Sequence, residues 1–474
     1  MGEHEHGRTG LSRRMLIAAA GSLAALAVGT ARADVIDPGA WESLRRQVRG
    51  TVVRPPDAEF GSAKALFDPQ FDGSTPVAVV GAADADDVRT AVVFARDHGL
   101  PLAVRAGGHS YVGASATSGA LIVDVRRLAE ISIDGDLVTL GAGATIMAVC
   151  EALDRVGRTL PLGTCPTVGV AGLTLGGGLG VESRRYGVSC DRLVSAKLVL
   201  PNGSTADASA ERLPGLFWAV RGAGGVTGIV TSLTVRTCPA ESKDIVRMDF
   251  PGDAAARVLD GWARWLPAAD RAVWSNIQIA TRAGELGCTA LITCPAGRGE
   301  AAATELAAAA TVPPASVDRR TFSALDAARD LGGGPSTARS TKVAGSDVLT
   351  ALSPATAESI VDAIRSRGDA TGYVLIDPLD GAIRDTAPDA TAFPWRAHAA
   401  TLQWIVDQPD SPATARAWIA GAHRAVAAAS AGAYVNYLEP GDDPRRYYGS
   451  NLDRLRTIRR TVDPDRRLRP GLEV

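Results

Sequence analysis

Excess charge of one sign, clustered cysteine and long apolar runs are all missing from this 474-residue chain. Basic and acidic residues number 50 and 52, a formal net charge of −2. With no basic excess to neutralise phosphates, a nucleic-acid partner is not expected. Six cysteines cannot staple a chain this long as small secreted domains are stapled, and leave room for one or two disulfides. No C-x-x-C pair and no His/Cys cluster of zinc spacing occurs, so no metal site is expected. No repeat of a solenoid or propeller is visible. Lysine is nearly missing too: Lys64, Lys197, Lys243 and Lys342 are the only four, which reads as a genomic preference for arginine codons.

What remains is an ordinary globular composition, 46% hydrophobic and 22% charged. That excludes a fully disordered, collagenous or polytopic membrane protein. At ~150 residues per domain the length implies two or three domains.

Residues 1–33 read as an address. Arg13 and Arg14 precede an apolar run from Leu16 to Val28, and Ala31-Arg32-Ala33 gives a small-residue exit. The run is shorter than the ~20 residues that span a bilayer but suits a signal peptide. Ser12-Arg13-Arg14-Met15-Leu16 resembles a twin-arginine export signal. That route carries folded proteins, so it implies a cofactor inserted before export, a secreted or periplasmic location and no stable membrane anchor.

Along the mature chain, Pro76–Val80 and Leu102–Val104 read as strands around a helix over Asp84–Asp97, whose acidic first turn suits the helix dipole. Short strands follow at Leu121–Val125, Ile131–Ile133 and Leu137–Gly141, then a helix over Thr145–Val156 and a glycine-dense loop over Gly163–Gly180. Asp191–Leu200 and Gly228–Val235 complete this α+β unit, expected over 34–240. Over 241–430, strand patterns (Ile245–Phe250, Val273–Ile279, Thr289–Thr293, Gly372–Ile376, Thr401–Val406) alternate with alanine-rich helices (Ala254–Trp265, Ala301–Ala310, Ala413–Ala428). They predict an antiparallel sheet backed by helices. The segment 431–474 returns to an arginine- and tyrosine-rich composition.

Two loops carry the chemistry. In Arg105-Ala106-Gly107-Gly108-His109-Ser110-Tyr111 a strand runs into paired glycines, which let backbone approach a ligand closely. Arg105 can add a charge-assisted contact to a diphosphate. The second loop runs from Gly163 through Cys165-Pro166-Thr167-Val168-Gly169 to Gly172, Gly176 and Gly180. So many glycines fit a chain wrapped around a flat or phosphorylated ligand. The first βα turn, Gly81-Ala82-Ala83-Asp84, is not the dinucleotide fingerprint of a Rossmann fold.

Taken together, His109 after Gly-Gly and Cys165 in G-x-C-P-T-V-G-V resemble the berberine bridge enzyme family, flavoproteins with the vanillyl-alcohol oxidase (PCMH-type) FAD-binding fold. The likeness runs on through Leu216–Gly222, Ala390–Pro394, Tyr434-Val435-Asn436-Tyr437, Tyr447–Asn451 and Val462-Asp463-Pro464. It implies a two-domain α+β protein holding FAD twice, with His109 on the 8α carbon and Cys165 on C6. It implies that Arg105, Ala106, Gly107, Gly108, Ser110, Thr167, Val168, Gly169, Gly172, Gly176, Gly228, Val230, Tyr448 and Asn451 contact the cofactor.

The resemblance makes Tyr437 the residue that takes the substrate proton as a hydride leaves, supported by Gln403. A strand-like alternation places Tyr434 on the opposite side from Tyr437. Val168, at a position where a small residue accompanies oxidases, points to dioxygen as acceptor and hydrogen peroxide as product. The expected partners are O2 and a small-molecule alcohol: a sugar, oligosaccharide or glycosylated metabolite. Amine oxidation or ring formation, a dehydrogenase with another acceptor, and a secreted flavin-binding protein without turnover stay open. Two departures stand out. Leu379-Asp380-Gly381-Ala382 lacks a tyrosine present in many bacterial relatives, which leaves Asp377 or Asp380 to replace it. Gly224-Gly225-Val226-Thr227-Gly228 alters a usual Gly-Gly-Asn-Phe-Gly.

Overall fold

The computed structural model describes residues 36–333 and 338–474, so the expected export signal, with Arg13 and Arg14, lies outside the described residues. Three sheets carry the architecture. The first has four strands, β1 (Thr51–Val53), β2 (Ala78–Gly81), β3 (Leu102–Arg105) and β4 (Leu121–Asp124), in the order β1-β2-β4-β3. β2 and β3 both run parallel to β4, and every residue of β2 and β4 is buried. Continuous apolar runs are what a parallel sheet covered on both faces requires. The crossover helix spans Ala85–Asp97, with Asp84 Oδ1 accepting the Asp87 N–H at 3.0 Å. Asp87 does more than suit the dipole. Buried, it accepts the N–H groups of Arg49, Gly50 and Ala83, each at 2.8 Å, and so fixes the edge strand.

The second sheet is antiparallel: β5 (Ile131–Asp134), β6 (Leu137–Gly141), β8 (Leu193–Val199), β9 (Thr205–Ser209) and β10 (Ile229–Arg236), ordered β5-β6-β10-β8-β9. A two-stranded ribbon pairs β7 (Arg158–Thr159) with β11 (Cys238–Pro239). The third sheet has eight antiparallel strands: β12 (Lys243–Pro251), β13 (Trp274–Arg282), β14 (Glu285–Pro295), β15 (Ser316–Phe322), β16 (Lys342–Leu349), β17 (Gly372–Pro378), β18 (Ala400–Asp407) and β19 (Ser430–Gly432). Side-chain alternation sends Leu402, Trp404 and Val406 into a core shared with Trp262, Leu306, Ile360 and Trp418 on the backing helices. Thr401, Gln403 and Ile405 take the other face. The register sets Asp377 opposite Thr401, Leu375 opposite Gln403 and Tyr373 opposite Ile405, so Tyr373, Asp377 and Gln403 share that face. Sequence periodicity misses β15 and β16. β15 is an almost fully exposed edge, and all but one residue of β16 are buried, so neither shows an in–out alternation. All six cysteines are unpaired; the room left for disulfides is not used.

The C-terminal tail joins the first sheet. Leu468 bridges Leu102 in parallel, and Arg469 N donates to Leu102 O at 2.8 Å. A buried ion cluster locks the return from the third sheet. His423, on the helix Pro412–Val426, sets Nδ1 2.6 Å from Asp347 Oδ2 and Nε2 3.0 Å from Glu439 Oε2. Arg446 adds contacts to Asp347 and Glu439, each at 3.5 Å, and to Asp442. Two carboxylates on two ring nitrogens require N–H on both. Burial works against that charge, but hydrogen bonds to Asp347 and Glu439 outweigh it and raise the pKa to about 9. Unfolded histidine titrates near ~6.5. The cluster's contribution is therefore complete below that pH and lost as pH rises through about 9. His423→Gln should lower the melting temperature at pH 7 and abolish this part of the decline between pH 7 and 10. An identical dependence of melting temperature on pH in wild type and variant would overturn the assignment.

Candidate active site

A cavity of about 460 Å³ runs between the first two sheets and out to the free face of the third. Its inner end is apolar, walled by Leu102, Val104, Val125, Ala142, Ile146 and Leu468. Its middle is backbone: Gly107, Gly108, Gly169, Gly172, Gly224, Gly225 and Gly228. The outer end gathers His109, Tyr111, Cys165, Gln403 and Tyr437. Ala106, Ser110, Val168, Val230 and Tyr448 also line it, as expected from the sequence. Tyr448 is anchored by donating to Ala223 O at 2.8 Å.

The glycines are there because two loops touch backbone to backbone. A Cβ on Gly107 would lie 2.4 Å from Gly169 N, and one on Gly169 would lie 2.6 Å from Gly107 N. Gly108 has φ of +73°, a conformation that L side chains rarely adopt. The turn delivers His109 flat against the Phe67 ring, centroids 4.2 Å apart. Its Nε2 lies 3.0 Å from Thr167 Oγ1. Burial lowers the imidazole pKa to about 4, so the ring is neutral at physiological pH. Cys165 Sγ lies 3.9 Å from the same Thr167 hydroxyl. Cys165 is the one cysteine on the cavity wall. A neutral imidazole and a thiol thus converge on one hydroxyl.

Several residues are placed otherwise than the sequence suggests. Arg105 does not reach the cavity. Its guanidinium folds back to Asp124 Oδ2 at 2.6 Å and Ala65 O at 3.2 Å, because a buried cation needs a carboxylate close by. Thr167 acts behind the wall, through His109. Gly176 makes room for a protein side chain: a Cβ there would lie 1.9 Å from Asn436 Oδ1. Asn451 donates to Pro388 O at 2.8 Å and Thr391 O at 3.0 Å, holding a loop away from the cavity. The expected glycine-dense loop contains a helix, Val170–Leu175.

The tyrosine pair is also rearranged. Val435–Tyr437 is a 3₁₀ turn, in which residues three apart eclipse, so Tyr434 and Tyr437 lie on one side with centroids 4.9 Å apart, edge to face. Tyr434 Oη accepts from Gly178 N and Asn436 Nδ2, each at 2.8 Å. Gln403 Nε2 donates to Tyr111 Oη at 2.7 Å rather than to Tyr437. Tyr111, whose ring stands 5.9 Å from that of Tyr437, has no separate role in the sequence reading. Its position two residues after His109 was the available signal. Burial, then the Asp377 charge, raises the Tyr437 pKa well above the ordinary phenol value. Burial raises Asp377 to about 6, partly offset by Asn276 Nδ2 at 3.3 Å. Asp380 is bound at 2.7 Å by Arg184 Nε, whereas Asp377 acts electrostatically on Tyr437. Beside Tyr111, Tyr373 Oη donates to Asp407 at 2.8 Å, and Lys342 pairs with the same carboxylate.

Among the described residues no group of three potential metal ligands occurs, and no helix is long and apolar enough to cross a membrane. An apolar slot, a glycine cradle and a tyrosine-lined mouth match the adenine, diphosphate and isoalloxazine of FAD in that order.

The comparisons agree with this geometry. Residues 76–209 match the FAD binding domain family, and 433–469 match the family described as berberine and berberine like. An uncharacterised FAD-linked oxidoreductase of Bacillus subtilis is 28% identical over 89% of this chain and 96% of its own. A xylooligosaccharide oxidase of Thermothelomyces thermophilus is 28% identical over 82% of this chain and 85% of its own. The structure of a xylooligosaccharide oxidase from Myceliophthora thermophila with xylobiose superposes with a TM-score of 0.83 at 26% identity, covering 92% of this chain and all of that one. The fold is therefore the two-domain α+β, PCMH-type FAD-binding fold. Both family matches and the structural likeness support the berberine bridge enzyme-like FAD-linked oxidoreductases as the family of this chain, with FAD as cofactor.

Gly107→Ala should force the two loops apart and strip the cavity of its cofactor. The expected preparation is pale, with at least a fivefold lower ratio of flavin to protein absorbance, whereas Gly61→Ala, where a Cβ meets open space, should remain fully yellow. A fully yellow Gly107→Ala protein would show that the loop contact does not form the cradle.

Proposed function

We propose that the protein is an FAD-dependent oxidase that removes a hydride from a carbon bearing a hydroxyl group, in a sugar or oligosaccharide, with O2 reduced to H2O2. The observation that carries this reading is the constellation Tyr437, Tyr111 and Gln403 facing His109 and Cys165 across one cavity, with the Asp377 charge acting on Tyr437 from behind the wall. FAD, when bound, accepts the hydride and passes its electrons to dioxygen. The chain's own residues bind, orient and deprotonate. A phenol raised this far is protonated at rest, so Tyr437 Oη accepts the substrate proton only while handing its own onward. Asp377 is the carboxylate within electrostatic reach, and it is ionised above about pH 6. Tyr111, fixed by Gln403, supplies a second hydroxyl to hold the reacting group. Val168 in the wall supports dioxygen as acceptor, since a larger side chain would narrow the approach. The relatives named as xylooligosaccharide oxidases support the substrate class.

Oxygen-electrode assay of the yellow protein against alcohols, monosaccharides and oligosaccharides should find steady peroxide release. Anaerobic flavin reduction should rise as pH passes about 6, and Tyr437→Phe should slow it ~10²-fold or more. Reduction equally fast in Tyr437→Phe would remove this residue from the proton step, and no turnover with any hydroxylated compound would overturn the oxidase reading.

Two tethers are part of the same proposal. His109 would offer a neutral nitrogen to the 8α carbon and Cys165 sulfur to C6; each bond would replace one C–H and one N–H or S–H, with the two electrons and two protons leaving on O2 as H2O2. Acid-precipitated protein should stay yellow and its mass should exceed the polypeptide by one FAD. Cys165→Ala should keep its flavin through His109. Release of free FAD from denatured wild type would sink the tethering. Loading before export by the twin-arginine route completes the proposed order of events.

A further inference from the structure

The C-terminal helix Leu452–Val462 and the tail behind it enclose a second cavity, about 330 Å³, separate from the flavin site. Four arginines line it: Arg456, Arg459, Arg460 and Arg466. The acids present do not balance them. Asp463, the acidic side chain on the wall, spends its carboxylate on Arg467 N at 2.8 Å and Leu468 N at 3.1 Å, and Val474 O on the same wall accepts from Arg466 Nη2 at 3.0 Å, which leaves Arg456, Arg459 and Arg460 without a close acceptor of their own in the cavity. Asp453, 3.6 Å from Arg456, and Glu473, 3.9 Å from Arg459, are mostly exposed, so solvent screens both.

Arg459 is the decisive residue. Its side chain is 2% exposed, its one hydrogen bond runs from Nη2 to Leu468 O at 3.2 Å, and Nε and Nη1 are buried without partners. Other arginines as deeply buried are neutralised at close range: Arg184 by Asp380 and Arg396 by Asp191, each at 2.7 Å. A buried guanidinium with two unmet donors and no close carboxylate is a group awaiting an acceptor. Arg460 and Arg466 are exposed, so an ion can enter from solvent.

We propose that this cavity is an anion site that takes a phosphate group, either the free ion or the terminal phosphoryl of a small phosphomonoester. Several oxygens on one centre can accept from Arg459 and from the neighbouring guanidiniums together, which a monatomic anion cannot do. The site lies where it can matter. The helix begins four residues after Tyr448 of the flavin cavity, and the tail beyond it supplies Leu468 and Arg469 to the inner end of that cavity. A bound phosphate ties these two segments together.

Calorimetric titration of the flavin-loaded protein with inorganic phosphate, at ionic strength held constant with sodium chloride, should show one saturable site per chain and a matching rise in melting temperature. Arg459→Leu should abolish it. Arg466→Gln, an exposed change that leaves the core intact, should weaken it roughly tenfold or more. Arg212→Gln, on an exposed loop elsewhere, should leave it unchanged. Glycerol phosphate run in parallel separates the sources. Tighter binding than inorganic phosphate identifies a terminal phosphoryl, and binding of inorganic phosphate alone identifies the free ion. Absence of saturable binding in wild type, or equal affinity in wild type and Arg466→Gln, would overturn the proposal.

Discussion

Gly107 and Gly169 approach each other so closely that neither tolerates a single methyl group. Everything else in the cofactor cavity follows from that contact. It brings the end of a parallel strand and the start of a short helix together, although 62 positions separate them in sequence. It sets His109 and Cys165 against the same threonine hydroxyl. Because the contact is made by backbone, it is insensitive to rotamers and holds the loops as one rigid wall. Desolvation then follows from packing: Phe67 covers one face of the His109 ring, and partial burial disfavours the charged imidazolium. The local chemistry is a consequence of steric fit.

A second constraint joins the sheets. Arg184 and Arg396 are fully buried, and each pairs with an acid far away in sequence, Asp380 and Asp191. Such pairs gain little net stability, but leaving one partner uncompensated costs about 3–5 kcal/mol, so they penalise wrong docking more than they reward right docking. Arg184 also caps the turn after the helix Ala255–Trp265 by donating to Leu266 O at 2.6 Å and to Asp270 O at 3.0 Å. The free face of the third sheet is thereby fixed over the cavity mouth, and Gln403 and Asp377 arrive there through strand register. Asp380 sits three residues from Asp377 but is consumed by this docking.

Much of the fold is legible because periodicity and capping report local structure. The helices after Asp84 and Ser411 begin at side chains that accept their own first-turn N–H groups, and β18 falls where apolar alternation places it. The flavin motifs are legible because backbone contact forbids side chains, and glycine is a visible sign of that. What escapes is pairing across distance. Arg105 looks like a ligand for phosphate until Asp124, 19 residues on, is seen to claim it. Gln403 looks like a partner for Tyr437 until Tyr111 is seen to lie nearer. Tyr434 and Tyr437 alternate like a strand on paper, yet three residues can also close a 3₁₀ turn, and the choice is made by Tyr434 Oη binding Gly178 N. None of these partnerships leaves a mark on local composition.

The buried tyrosine imposes the last constraint on chemistry. A phenol surrounded by Tyr111 and Tyr434 and facing a carboxylate cannot rest as phenolate, since burial and the neighbouring charge both oppose ionisation. Proton acceptance in the proposed reaction is therefore shared between two groups that differ in kind. Tyr437 supplies position, a hydroxyl held at the cavity wall by its turn. Asp377 supplies capacity, a carboxylate lifted by burial to about 6 and so close enough to neutrality to take a proton and release it again. Neither property suits the other residue: a carboxylate on the wall would be hydrated, and a phenol behind it would hold its proton. The missing tyrosine at Leu379 is consistent with this division, because the second role needs a group of lower pKa than a phenol.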